Sequence, residues 1–237
     1  LIVGCGQLGS RHLQALAALP LVEQIEVVDP NPSALQLGQQ RLSEVTDRRP
    51  SISVRWLSSL KDASRSGDLC IIATQAEGRC QLVKEVSESL GYSAFLLEKI
   101  VAQSVQEMEG LVQFSETMGI SAWVNCQIRT FPFHRRVKKH IGPKDAVMLS
   151  AMGSNQRLAT NGIHVADLFA YFDESPRIDS AGASIDQVLH SSKRGPRLYD
   201  LSGTLHGYTS RGSRLTIAYT DGCCNWEHIS IATGRYR

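Results

Sequence analysis

The sequence lacks the features that mark membrane-spanning, fibrous and nucleic-acid-binding chains. No apolar run in its 237 residues approaches the roughly 20 that a membrane-crossing helix needs, so no spanning helix is expected. Neither sign of charge dominates: 25 Lys and Arg stand against 23 Asp and Glu, a net charge of +2, and so small an excess implies no acidic partner. The densest basic run, Arg135-Arg136-Val137-Lys138-Lys139, is short and has no aromatic residues interleaved. It reads as a solvated helix face, and no nucleic-acid partner is expected. The six cysteines, Cys5, Cys70, Cys80, Cys126, Cys223 and Cys224, show no C-x-x-C spacing, and the last two are adjacent, where a disulfide would be strained. That pattern argues against a disulfide framework and a zinc site; it suits reduced thiols in a cytoplasm, with no metal expected. Internal repeats, low-complexity tracts and a secretory leader are not visible either.

What remains is an ordinary globular composition, 42% apolar and 20% charged, in a length that suits one large or two modest domains. Leu1-Ile2-Val3 reads as the tail of a buried strand. Residues 8–19 carry Leu8, Leu13, Leu16, Ala17 and Leu19 near helical spacing, and Pro20 ends the segment. "IEVVDP", "SISVRWL", "DLCIIAT", "YSAFLLEKI" and "SAWVNCQ" read as strands, the continuous apolar runs being the mark of strands covered on both faces. Between them lie helical segments: "NPSALQLGQQRLSEV" with Asn31 or Ser33 as cap, and two that run into Gly91 and Gly119. The alternation predicts an α/β fold, a doubly wound parallel sheet of the Rossmann type, over residues 1–125. Over 126–237 the character changes: two helical stretches, "FPFHRRVKKHIG" and "GIHVADLFAYF", are mixed with consecutive strand-like pieces, which predicts an α+β domain with an antiparallel or mixed sheet. The chain stops at Arg237 just after a strand, so this second domain is expected to be incomplete.

Gly4, Gly6 and Gly9 form G-x-G-x-x-G between an apolar strand and a helix, and Asp29 ends the next strand. In that setting Gly4 permits the tight turn, Gly6 lets the backbone approach a diphosphate, and Gly9 lets the helix pack close to the strand. The main chain of the turn, including Gln7 and Leu8, then presents N–H groups at a helix start, which favour an anion. The alternatives are an ordinary strand-to-helix turn, or a flavin or other adenosine cofactor. Asp29 suits hydrogen bonds from both ribose hydroxyls and would repel a 2′-phosphate. Pro30-Asn31-Pro32-Ser33 offers no cation to neutralise one, so NAD is favoured over NADP.

Two further stretches suggest a reaction. Glu98-Lys99 follows "AFLL", at the C-terminal end of a central strand, where ligands of open α/β sheets collect. A partly desolvated lysine there suits contact with a substrate hydroxyl; the alternative is a surface ion pair between neighbours. In "NGIHVADLFAYF" the spacing puts His164 and Asp167 one turn apart on a helix face, so that the carboxylate could orient a ring able to move a proton near neutral pH. The alternative is a histidine satisfied by core hydrogen bonds.

Several stretches in order, "GCGQLGSRH", "VVDPNPSAL", "DLCIIATQAEGR", "LLEKI", "QIRTFP" and "GIHVADLFAYF", resemble the glucose-fructose oxidoreductase / inositol dehydrogenase (Gfo/Idh/MocA) family of NAD(P)-dependent sugar oxidoreductases. The resemblance implies a Rossmann domain followed by a domain with a large open, mainly antiparallel sheet that commonly pairs subunits, hence a homo-oligomer. It implies that Lys99 and His164 are catalytic, with Lys99 on the reacting hydroxyl and His164 as proton acceptor or donor. It places Thr74 and Glu98 with the cofactor, and Arg129, Thr160 and Asn161 toward the substrate. The chain departs from the family pattern at Ile100, usually proline; at Gln75-Ala76, usually Pro-Pro; at Arg79, often histidine; and at Thr160, often aspartate. The expectation is an NAD-dependent enzyme acting on a sugar, polyol or nucleotide-linked sugar, in keeping with surface-polysaccharide metabolism. A non-catalytic sensor that binds NAD and a sugar, or a reductase of a non-sugar substrate on the same fold, are the alternatives.

Overall fold

The apolar runs of the first half become the strands of one sheet. A computed structural model describes residues 1–46, 52–192, 198–222 and 226–234, which divide into two compact units, Leu1–Asn125 and Cys126–Arg237. Cys223 and Cys224 lie outside the described residues; Cys5, Cys70, Cys80 and Cys126 form no disulfide with one another.

In the first unit the elements run β1 (Ile2–Val3), α1 (Gly9–Ala17), β2 (Gln24–Val28), α2 (Pro32–Ser43), β3 (Ser53–Leu57), β4 (Cys70–Ile72), α3 (Arg79–Leu90), β5 (Ala94–Leu97), α4 (Val105–Met118) and β6 (Ser121–Val124). Among the described residues the strands pair in parallel in the order β3-β2-β1-β4-β5-β6. This is the doubly wound order expected from the sequence, and it reverses between β1 and β4, where such sheets bind ligands. Successive strand residues point to opposite faces. Val3, Cys70, Ile72, Phe95 and Leu97 pack with Val83, Val86 and Leu90 of α3 and Leu111 of α4. Ile2, Ile25, Val27 and Ile71 pack with Leu13 and Ala17 of α1 and Leu42 of α2. Burying a side chain such as Ile2 or Ile71 contributes about 1.5–3 kcal/mol. Local signals set the helix ends: the Asn31 side chain accepts from Ser33 N at 3.0 Å, Ser104 Oγ accepts from Glu107 N at 3.1 Å, and Gly91 and Gly119 close α3 and α4 with φ of 75° and 65°.

The second unit holds α5 (Pro132–Lys138), β7 (Val147–Ser154), α6 (Ile163–Asp173), β8 (Asp179–Ile185), β9 (His190–Ser191), β10 (Tyr199–Asp200), β11 (Gly203–Tyr208), β12 (Arg214–Thr220) and β13 (Glu227–Thr233). Among the described residues its main sheet has the order β13-β7-β12-β11-β8; β7 and β12 are parallel and the other neighbours antiparallel. Val165, Leu168, Phe169 and Phe172 of α6 pack on Leu149 and Ala151 of β7 and on Leu215, Ile217 and Tyr219 of β12. No helix among the described residues is long and apolar enough to cross a membrane.

Candidate functional site

The three glycines of the first turn are needed for different reasons. Gly4 has φ of +90°, its N–H donates to Val28 O at 2.8 Å, and a Cβ there would sit 3.0 Å from the main chain of Ala73 and Thr74. At Gly9 a Cβ would collide with the Gly4 carbonyl, so α1 starts hard against the turn. At Gly6 a Cβ would meet nothing within 4 Å. The fold leaves that side open, and glycine there keeps the backbone bare. Among the described residues none accepts a hydrogen bond from the main-chain N–H groups of Gly6, Gln7, Leu8 or Gly9, whereas those of Ser10, Arg11 and His12 bond within the turn. Bare N–H groups at a helix start are the anion-binding arrangement.

Asp29 ties this turn to the end of β2. Its Oδ2 accepts from Cys5 N at 2.7 Å and its Oδ1 from Asn31 N at 2.8 Å. Each carboxylate oxygen retains a second acceptor site. A cavity of about 690 Å³ is lined by Gly4, Gly6, Asp29, Thr74 and, from a 3₁₀ turn at Leu60–Asp62, Lys61. That volume lies within the range of small-molecule sites. Lys61 was not among the residues expected here, because nothing in its spacing links it to Asp29 or to the glycine turn. Burial, with the Asp29 charge adding to it, pushes the Cys5 thiol up to about 11.

The end of β5 is more enclosed than a surface Glu-Lys pair would be. Glu98 is 3% exposed and Lys99 8%. Glu98 Oε1 lies 2.7 Å from His12 Nε2 and accepts from Asn125 Nδ2 at 2.7 Å. Burial alone would raise the Glu98 carboxyl; the bonds from His12 and Asn125 and the charges of His12 and Arg79 outweigh it and hold the group below the usual carboxylate range. Arg79, at the start of α3 and 2% exposed, donates to the carbonyls of Thr74, Glu98 and Ile100, bracketing Lys99. The Lys99–Ile100 peptide is cis. His12, Asn125 and Arg79 thus surround Glu98 and Lys99, although none was expected there. His12 closes the stretch "GCGQLGSRH", but nothing in its spacing links it to residue 98.

In the second unit a π-helical turn, Leu158–Gly162, runs directly into α6, so Thr160, Asn161 and His164 share one helical segment. Thr160 Oγ1 donates to Asp200 Oδ2 at 2.6 Å, and Asp200 Oδ1 accepts from Ala159 N at 2.9 Å and Leu201 N at 2.8 Å. Asp200 is 2% exposed, and it places a buried carboxylate beside Thr160, forty residues distant in sequence. Asn161 Nδ2 donates to Gln156 Oε1 at 3.2 Å. The sequence offered Asp167 as the group that orients the His164 ring. In the structure its two oxygens accept from Arg129, through Nε at 2.7 Å and through Nη2. Arg129 gains this partner because the 3₁₀ turn Gln127–Thr130 packs beside α6. The hydrogen bonds to Asp167 hold the guanidinium pKa above its ordinary value.

The structure therefore gathers Gly4, Gly6, Asp29 and Thr74 around one cavity, with Gln7, Leu8 and Gly9 completing the turn beside it and Glu98 and Lys99 on the same sheet edge. Thr160, Asn161, His164 and Arg129 belong to the other unit. Among the described residues no group of His, Cys, Asp and Glu is arranged to hold a metal ion.

No family model matches the chain, and no curated protein matches it in sequence. Solved structures do match it. GenD2 from gentamicin A biosynthesis, in complex with NAD, is 18% identical with a TM-score of 0.75, over 98% of this chain and 68% of that one. The WlbA dehydrogenase from Bordetella pertussis, in complex with NADH and UDP-GlcNAcA, is 21% identical with a TM-score of 0.72, over 92% of this chain and 69% of that one. Scyllo-inositol dehydrogenase from Lactobacillus casei, with bound NAD(H) and scyllo-inositol, is 14% identical with a TM-score of 0.67, over 97% of this chain and 71% of that one. The chain has the fold of these dehydrogenases, a doubly wound domain followed by a mixed sheet.

Proposed function

We propose that the protein is an NAD-dependent oxidoreductase that moves a hydride between nicotinamide and an alcohol or carbonyl carbon of a sugar, polyol or nucleotide-linked sugar. The observation that carries this reading is the bare backbone at Gly6, opening on a cavity that Asp29 also lines. The residues present fit a dinucleotide: N–H groups for the diphosphate, an acceptor carboxylate for ribose hydroxyls, and no side chain at Gly6 to obstruct either. Bound NAD would supply the hydride acceptor. The chain's own part is to bind, orient and move a proton. The N–H groups of Gly6 to Gly9 hold the diphosphate, and Asp29 accepts from the adenosine ribose. Lys99, held at the strand end by the bonds Arg79 makes on either side of it, donates to the reacting hydroxyl and the cofactor ribose. His164 takes the hydroxyl proton in oxidation and returns it in reduction. Nucleotide-linked or acidic sugars of surface polysaccharides are the substrate class that this reading favours, supported by the fold shared with WlbA.

The test is a titration with NADH followed by nicotinamide fluorescence, then a panel of sugars, polyols and UDP-sugars followed at the nicotinamide absorbance band. Saturable binding and turnover on a panel member are expected, with Lys99→Met lowering turnover by about 10²–10⁴-fold and NADH affinity falling far less, by the loss of one ribose hydrogen bond. Absence of NADH binding, or a Lys99→Met variant as fast as the parent, sinks the proposal. Binding without turnover across the panel returns the protein to the sensor reading.

A further inference from the structure

We infer that Arg41 is a positioning residue of the nucleotide turn, aiming the main-chain N–H groups that receive the diphosphate; this rests on the cofactor reading above. Arg41 lies in the last turn of α2, 34 residues from Gln7 in sequence. Its Nη1 donates to the Gln7 carbonyl at 2.7 Å and to Ser10 Oγ at 2.6 Å, and its Nη2 donates to Gln7 Oε1. Ser10 Oγ passes the grip on by donating to the Gly6 carbonyl at 2.6 Å. One guanidinium therefore restrains, directly or through Ser10, two consecutive carbonyls of the turn.

That restraint has a geometric consequence. A trans peptide is planar, with its N–H opposed to its carbonyl. Fixing the Gly6 carbonyl fixes the N–H of Gln7, and fixing the Gln7 carbonyl fixes the N–H of Leu8. Both belong to the group of N–H donors that the described residues leave to a ligand. Donors aimed in advance need no ordering when the anion arrives, and affinity gains accordingly. The close docking of α2 is itself built in. One turn before Arg41, Gly38 has no Cβ, and one there would collide with Cys5 Sγ. From the other side, Gln14 Nε2 of α1 donates to the Arg41 carbonyl at 2.7 Å. A lysine at 41 would keep the charge but not the planar fork that reaches a carbonyl and a side-chain amide together.

The test compares the parent chain with Arg41→Lys and Arg41→Met by NADH fluorescence titration, ADP-ribose competition and adenosine titration by NMR, with thermal midpoints recorded alongside. Both variants are expected to lose about tenfold in affinity for NADH and ADP-ribose while adenosine, which has no phosphate, stays within about twofold. Variants that bind NADH like the parent overturn the inference. So does parent-like binding by Arg41→Lys with weak binding by Arg41→Met, which would assign the effect to charge alone. An equal loss for adenosine would assign it to general damage and likewise overturn it. A parent chain that fails to bind NADH refutes the cofactor reading itself and is seen before any variant is made.

Discussion

Gly6 and Gly9 separate what the turn needs for folding from what it needs for binding. At Gly9 a methyl group would collide with the Gly4 carbonyl, and the atom it meets is backbone that cannot swing away. Gly9→Ala is expected to lower stability by about 1–3 kcal/mol through overpacking. At Gly6 the same methyl group meets nothing, and the residue has no positive φ. Gly6→Ala is therefore expected to stay within about 0.5 kcal/mol of the parent in a urea melt and yet to lose NADH affinity. Loss of stability at position 6 equal to that at position 9 would count against this division. The spacing of the glycines was legible in the sequence because the turn is local. The partners of Glu98 were not: His12 and Asn125 lie 86 and 27 residues away, and no periodicity links them. Asp167 shows how a second element joins a local pattern. It stands one turn from His164 on α6, as its spacing indicates, and a residue on another element, Arg129, donates to both of its oxygens, which no spacing announces.

Elements were legible where burial writes itself into composition. β4 and β5, covered on both faces, appear as continuous apolar runs and could be read directly, as could the glycine-closed ends of α3 and α4. β8 could not. Its sequence DSAGASI is small and polar and mostly exposed, and pairing with β11 rather than side-chain packing holds it as an edge strand. The π-helical turn ahead of α6 was also hidden, since it depends on Asp200, which arrives from the short strand β10. Asp200 accepts from two main-chain N–H groups and one hydroxyl while almost fully buried. Asp200→Ala leaves those half-buried donors without their acceptor, at a cost of about 3 kcal/mol. The expected outcome is a lower urea midpoint with amide exchange accelerated first at residues 158–162. Uniform acceleration across the second unit would show that Asp200 does not act on that turn in particular.

At the scale of the whole molecule, three buried carboxylates, Glu26, Glu98 and Asp173, tie stability to pH. Burial alone would raise each one, but hydrogen bonds and neighbouring cationic groups prevail and hold each below its ordinary value. A folded-state pKa below the unfolded one makes the contribution complete above the unfolded value, about 4, and lost as pH falls through the folded one. Urea midpoints are expected to be steady from neutral pH down to about 5 and to fall below 4, with a shallower fall in Glu98→Gln. A midpoint that rises on acidification would contradict the sign. The order of the second sheet carries a different consequence. Among the described strands of that sheet β7 is the first to be made, yet its two neighbours, β12 and β13, follow β8 and β11. While a nascent chain leaves the ribosome, β7 must wait with both edges bare until residues 214–233 emerge. That interval, set by connectivity rather than by any weak contact in the finished fold, is when this half is most exposed to pairing with the wrong strand and most dependent on a chaperone.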